Sequence, residues 1–538
     1  MTKNFVKGIE SVIKKFLLSA LLVLWLVSFP FAGQTLAQET ASPAPTTSPT
    51  ATTSPTASSS PSASPTASPS VAPATTSAPT GDVVTLTKEQ KEALTKLLTP
   101  SAPASPLVAG DTAFMLVAAA LVLLMTPGLA FFYGGLVRTR NVLNTMMMSL
   151  LLMAVVGVTW ILWGYSLAFD VSIKVPEFGQ GIEKFVGGLD WAFLNNVKFD
   201  APDPVGYAGT IPHAVFMVYQ MMFAIITPAL ISGAIVERMS FKAYFWFILL
   251  WSSLVYAPLA HMVWGRGFLQ ELGALDFAGG TVVHISSGVA AVVAVLVVGS
   301  RKDFATRPHT PHNVPYVLLG IGLLWFGWFG FNAGSALAAG PLAAVAFVAT
   351  TVSTSAGGLT WLLVEWVLRG KPTAVGIASG FLAGLVGITP AAGFVTPIGA
   401  ILIGSITAVC CFIAVSLRAK FKFDDSLDTF SVHGVGGTVG AMLTGVFATK
   451  VAFGGDAPLG LLDGNPILIW KQFEGVAFTY VFAAIATFII LQVLKLFMDL
   501  RVPQSVEEQG IDLPVHGEEG YGSDFGSGVF VSQGSSEG

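Results

Sequence analysis

Between residues 111 and 500 the chain runs through nine stretches that contain no Asp, Glu, Lys or Arg. They cover 112–137, 141–169, 204–236, 243–265, 277–300, 313–364, 373–417, 429–449 and 475–494. A bilayer crossing needs about 20 such residues as a helix. Backbone polar groups in hydrocarbon must be satisfied within the segment, so these stretches predict helices rather than loops. Two are too long for one crossing. The stretch 313–364 breaks between Asn332 and Pro341, and 373–417 breaks between Gly387 and Pro397. The expectation is an all-α polytopic membrane protein of eleven helices.

Composition agrees. Hydrophobic residues make up 53% of the 538, and charged residues only 11%, where soluble domains carry roughly 25%. A soluble enzyme and a disordered chain are excluded. With a net charge of −4 there is no basic footprint for nucleic acid. The two cysteines, Cys410 and Cys411, are adjacent in an apolar run and read as helix packing rather than a disulfide or metal module.

Four regions follow. Residues 1–37 read as a secretory signal: Lys3, Lys7, Lys14 and Lys15 precede the apolar run Phe16 to Phe31, with small residues near Ala37. An uncleaved anchor is the rival reading. Residues 38–110 form an exported tether, Ser/Thr/Pro/Ala-rich to residue 80 and unable to bury a core. A short helix is expected around Thr87 to Leu98, from a capping box and a narrow leucine stripe. Residues 111–500 are the membrane body and 501–538 a tail. With the mature N-terminus outside, one set of loops carries fourteen Lys and Arg residues and the other six. The positive-inside rule puts the richer set, and the C-terminus, in the cytoplasm of a cell expressing this protein in its plasma membrane.

The motif V-H-x-x-x-G occurs twice, at Val283–Gly288 and Val432–Gly437, 149 residues apart. The copies fall on spans five and ten, which run in opposite directions, as an inverted five-plus-five repeat would place them. Neither apolar stretch offers its histidine a charged partner. His284 and His433 should therefore face the interior and find each other, as neutral rings sharing one N–H···N bond. The bland reading is two unrelated packing histidines. A zinc site would need a third ligand such as Asp276, and no HExxH or cysteine cluster supports one; no metal and no cofactor is expected.

Aromatic residues gather at the expected outer ends of nearby spans. WFGWFGF over 325–331 leads into Asn332 to Ser335, Trp264 closes span four, and Tyr219 and Phe223 lie one turn apart on span three. Such rings with a hydroxyl suit a small cation, although an interfacial aromatic belt would look alike. Taking a bare ion into an apolar interior costs on the order of 20 kcal/mol, and a desolvated cation–π contact returns about 2 kcal/mol. An ammonium ion escapes this limit by leaving its proton behind and crossing as ammonia; potassium has no such route.

The body resembles the Amt/Mep/Rh ammonium transporter family, the bacterial Amt branch above all. The resemblance covers nearly all of 110–521. It rests on DTAFM from Asp111, PGLAFFYGG over 127–135, AHMVWG over 260–265, DFAGGTVVH over 276–284, GWFGFNAGS over 327–335 and VHGVGG over 432–437. It implies eleven helices, a homotrimer with one pore per subunit, and no enzymatic activity. It further implies an outer ammonium site of Trp264, Ser335 and Tyr219, with Phe223 at its floor. Phe223 and Phe331 would form the gate, His284 and His433 would line the pore, and Asp276 would order the recruitment site. The tail would dock beneath the subunits and serve a PII-type signalling protein. Tyr219 stands where many bacterial members have Phe, and the tether and the Gly/Ser-rich end have no counterpart in the pattern. A low-flux ammonium sensor and a passive ammonia or carbon dioxide channel are the alternative activities.

Overall fold

The computed structural model describes residues 107–172, 181–304, 306, 310–418, 420–421, 423–456 and 459–521. The expected signal, most of the tether with its short helix, His309 and the last seventeen residues lie outside these. Every element of the described residues is helical, apart from one isolated bridge between Met239 and Arg501.

Ten described helices are long and apolar enough to cross a membrane, and one apolar helix is shorter. In chain order they are α1 (Ala109–Leu136), α2 (Thr139–Phe169), α3 (His213–Ile235), α4 (Phe241–Leu272), α5 (Gly280–Val298), α6 (Val314–Gly334), α7 (Pro341–Arg369), α8 (Ala374–Ile388, the shorter one), α9 (Pro397–Arg418), α10 (Phe430–Phe447) and α11 (Ile467–Phe497). Both long charge-free stretches break where glycine and proline interrupt them: α6 ends at Gly334 and α9 starts at Pro397. The helices differ in what surrounds them. Nearly all of α3 is buried, whereas most of α11 is not, so α3 sits at the centre and α11 on the rim.

One end of the bundle gathers charge. Arg301 bridges Glu237 at 2.7 Å and Asp424 at 2.7 Å, while Arg138 reaches Glu237 at 2.9 Å and Asp303 at 2.6 Å. Arg238 donates to the carbonyls of Ala234, Gly299 and Asp424. Burial opposes ionisation of Glu237, but Arg301 and Arg138 outweigh it and hold the carboxyl at about 2. A single unpaired charge here would be expensive; the cluster is tolerated because each group meets several partners.

The tail closes over this end. Arg501 forms a bidentate pair with Glu507, whose carboxylate also accepts from the Lys302 amide at 2.8 Å. Asp512 accepts from the amides of Leu143 at 3.0 Å and Asn144 at 2.8 Å. It thereby satisfies N–H groups left open at the start of α2, where a negative charge also suits the helix dipole. Tyr521 ends the described tail against His312, at 3.0 Å.

Candidate functional site

The two motif histidines meet. His284 Nδ1 and His433 Nδ1 are 3.2 Å apart, and the rings are near-parallel with centroids 5.3 Å apart. Local backbone brings them there. The first turns of both helices, Gly280–Ile285 and Phe430–Gly434, are π-type rather than α, a widening often found at functional sites. The motif glycines explain the close approach. A Cβ on Gly288 would lie 2.4 Å from the Gly434 nitrogen, and one on Gly437 would lie 3.0 Å from the His284 Cβ. Each motif's glycine thus makes room for backbone or side chain next to the other motif's histidine.

Both helix starts are held by a carboxylate eight residues before the histidine. Asp276 accepts from the amides of Gly279 (2.7 Å), Gly280 (2.6 Å) and Thr281 (2.8 Å), and from the Thr281 hydroxyl. Asp425 accepts from the amides of Thr429 (3.0 Å) and Phe430 (2.7 Å). With its oxygens turned to the backbone, Asp276 is a cap rather than part of the cavity wall. Asp425 is a neighbour of the site that the sequence motifs miss, although the spacing Asp-x7-His, identical in both copies, is readable there.

A file of rings leads from the Trp264 end of the bundle to the imidazoles. Trp264 meets Phe223 edge-on with centroids 6.0 Å apart, Phe223 lies 4.3 Å from Phe331, and Phe331 lies 6.2 Å from His284. Trp328 stacks on His284 at 5.5 Å; its indole nitrogen donates to Thr389 at 3.0 Å, which fixes the ring. The Trp264 indole donates to the Asp276 carbonyl at 2.9 Å, so the capped turn also orients the outermost ring.

Cavities lie at three levels along this file. One of about 270 Å³, at the Trp264 end and so outer relative to the imidazoles, is lined by Phe223, Trp264, Ser335, Gln220 and Arg266 among others. A constriction of about 10 Å³ lies between Phe331, Trp328, His284, His433 and aliphatic residues from α1, α3, α6 and α8. That volume is of the order of one water-sized probe. A third, of about 380 Å³, opens from His433 toward Arg301, Glu237, Arg418 and Asp428. His284 Nε2 is buried with no protein partner, which leaves a polar atom available in the constriction.

Tyr219 is placed differently from the other expected mouth residues. It is fully buried and absent from the outer cavity's lining. Its hydroxyl lies 2.9 Å from the carbonyls of Gly330 and Phe331 and 3.3 Å from the Ser335 hydroxyl. It therefore braces the end of α6 from behind. Ser335 donates to the Phe331 carbonyl at 2.9 Å, so its oxygen retains lone pairs for an incoming donor. Among the described residues no group of three or more His, Cys, Asp or Glu side chains is arranged to hold a metal ion. His213 and His261 have protein partners, Tyr165 and the Ala168 and Glu183 carbonyls, away from the ring file.

A bundle of apolar crossings, opened by an aromatic cavity and narrowed to a passage walled by rings and aliphatic side chains, defines a multi-pass membrane protein of the transporter class. Comparison with known proteins gives the family. Residues 113–521 match the model of the Ammonium Transporter Family, and the chain belongs to it. An ammonium transporter of Bacillus subtilis is 51% identical over 413 residues, which is 77% of this chain and 98% of that protein. The solved structure of Mep2 from Saccharomyces cerevisiae aligns with a TM-score of 0.68 at 36% identity, covering 74% of this chain and 88% of that one. A solved sensor Amt protein aligns with a TM-score of 0.68 at 28% identity, over 76% of this chain and 98% of its own. The Bacillus relative is named an ammonium transporter, and the family is one of transporters and not of enzymes.

Proposed function

We propose that this protein recruits ammonium at the outer cavity, deprotonates it and passes ammonia through the histidine pair. The observation that carries the reading is the 3.2 Å contact between two buried imidazole nitrogens beside a constriction too narrow for a hydrated ion. At the mouth, Trp264 and Phe223 supply ring faces and Ser335 an acceptor for the cation; Phe223 and Phe331 act as the gate. Two or three ring faces return only a few kcal/mol against a dehydration cost on the order of 20 kcal/mol, so the cation gives its proton to water in the outer cavity or to a pore imidazole and enters the constriction as ammonia. His284 and His433 then offer ring nitrogens to ammonia, with or without relaying the proton.

On this reading α8 completes an eleven-helix body, with α1–α5 and α6–α10 as an inverted repeat. The paired Asp-x7-His spacing, the paired π-type turns and the reciprocal glycines support that symmetry. Residues 111–500 form the transport domain of a homotrimer, and residues 501–538 a cytoplasmic regulatory tail open to a PII-type protein. The signal at 1–37 and the tether at 38–110 place the N-terminus outside. A low-flux sensor is the second reading, favoured by the likeness to a solved sensor Amt protein.

Current across proteoliposomes after an ammonium pulse, with a potassium pulse as control, tests the proposal. An ammonium-only current that falls in H284A and H433A supports the full reading. Ammonia uptake without current points to the neutral route, and neither signal from intact protein points to the sensor.

A further inference from the structure

Arg266 stands between two glycines whose places are filled up to the backbone. A Cβ on Gly265 would lie 2.2 Å from the Ala168 carbonyl oxygen, and one on Gly267 would lie 2.5 Å from the Met262 Cα. Arg266 itself has φ +68°, the left-handed region that glycine enters freely and an L side chain rarely does. A third glycine would suit this turn better than any side chain, yet the chain carries its bulkiest cation there. Backbone strain kept at such a place points to a role for the side chain.

The side chain is held at the mouth. The guanidinium donates to the Val205 carbonyl and lies over the Tyr207 ring, 5.9 Å from its centroid. Tyr207 is in turn stacked on Phe216 at 5.3 Å. Arg266 lines the same cavity of about 270 Å³ as Trp264, Phe223 and Ser335. Among the described residues no carboxylate lies within ion-pair distance of it. Asp203, on the adjoining turn, directs its oxygens to the amides of Val205, Gly206, Tyr207 and Ala208. On the neighbouring rim Lys184 and Glu271 pair with each other at 2.7 Å, and Asp276 caps α5.

We propose that Arg266 sets the apparent affinity of the outer site for cations: a fixed guanidinium sharing the recruitment cavity raises the concentration at which that site half-saturates. The inference rests on the ammonium reading above. Two like charges across such a cavity, roughly 8–10 Å apart, weaken binding about twofold under water-like screening and about fivefold at an effective dielectric of about 40, between that of water and that of a protein surface. Charge repulsion is blind to size, so every monovalent cation is weakened alike. Arg266 therefore lowers the affinity for all monovalent cations alike, whereas the rings and Ser335 contact the ammonium ion itself and add to its affinity and its selection.

The test is the concentration dependence of ammonium and methylammonium currents in proteoliposomes carrying the full chain. R266Q, R266G and R266K are compared with the natural protein at ionic strengths of about 10 mM and about 500 mM, on either side of the screening range. R266G relieves the backbone conformation, so it remains informative where R266Q folds poorly. At low salt both charge-removing variants are expected to lower half-saturation roughly two- to fivefold, by the same factor for both cations. R266K should match the natural protein, and the difference should shrink toward unity at high salt. Unchanged or raised half-saturation in R266Q and R266G overturns the proposal. So does a shift that survives high salt or that lysine does not restore; either would make Arg266 a clasp for the Val205–Tyr207 turn. A natural protein with no saturable ammonium current overturns the ammonium reading itself, a result distinct from a normal current that the variants leave unmoved.

Discussion

Replacing Glu237 by Gln keeps the side chain's shape and removes the charge that two guanidiniums share. The carboxyl is buried and titrates at about 2 rather than 4.5. That difference corresponds to about 3 kcal/mol of native-state stability at neutral pH. Mutational experience with buried ion pairs gives roughly 3–5 kcal/mol for removing one partner. Arg301 and Arg138 each have a second carboxylate, Asp424 at 2.7 Å and Asp303 at 2.6 Å in the natural protein, which the substitution does not remove; this argues for the lower figure. For a body of about 400 residues this lowers the thermal midpoint by on the order of 4 °C. The folded pKa is depressed, so the contribution is full above the unfolded value and is lost as pH falls from about 4.5 to about 2. Thermal unfolding of purified E237Q and natural protein in one detergent, followed by tryptophan fluorescence, measures it. The gap between the two midpoints should be constant from about pH 7 to about 5 and close toward about pH 2. Equal midpoints at neutral pH, or a gap that stays constant down to about pH 3, would refute the argument that Glu237 stabilises the fold as a charge.

Other outcomes follow from the site and the tail. Ser335→Ala removes an acceptor worth about 1 kcal/mol and should raise ammonium half-saturation about fivefold; Trp264→Leu, losing about 1–2 kcal/mol of cation–π attraction, should raise it roughly tenfold. Concentration series of the current check both, and no change in either variant would remove that residue from the mouth. Gly288→Ala puts a methyl 2.4 Å from the Gly434 nitrogen, so α5 and α10 must part at a cost of about 1–3 kcal/mol. Its current should fall at least tenfold together with a lower thermal midpoint, and full current at unchanged stability would show that the helices tolerate the separation. Asp512→Asn weakens a charged cap on α2 by about 1 kcal/mol. A Glu-specific protease should then cut the tail after Glu518 several times faster, and an unchanged cleavage rate would mean that the tail is held without this contact.

The parts of the molecule that the sequence makes legible are those written in period and contrast. A histidine in a run without charge stands out, and a repeated V-H-x-x-x-G links two of them by pattern alone. Breaks at Gly334 and Pro397 are visible because a crossing cannot exceed its length. Tyr219 is harder. Its position one turn from Phe223 suggests the mouth, but the helix turns its hydroxyl to the Gly330 and Phe331 carbonyls, and spacing along one helix does not reveal what another presents. Trp328 is legible only as part of an aromatic run, since its stacking on His284 depends on how α6 packs against α5. The charged loops show the same limit. Counting Arg138, Arg238, Arg301 and Arg501 gives a prediction of orientation, but no count distinguishes a solvated loop charge from Arg301, which is 5% exposed and bound to two carboxylates. Arg266 is silent in the sequence because its significance lies in a backbone angle.

The reciprocal glycines also bear on how the molecule is made. The passage takes wall residues from α1, α3, α5, α6, α8 and α10, and its second imidazole arrives only with residue 433 of 538. Gly288 is translated long before the Gly434 backbone it must receive. A ribosome therefore has most of the body in the membrane before the passage has all of its walls. A chain that stops before residue 433 has only one of the two imidazoles that line the constriction.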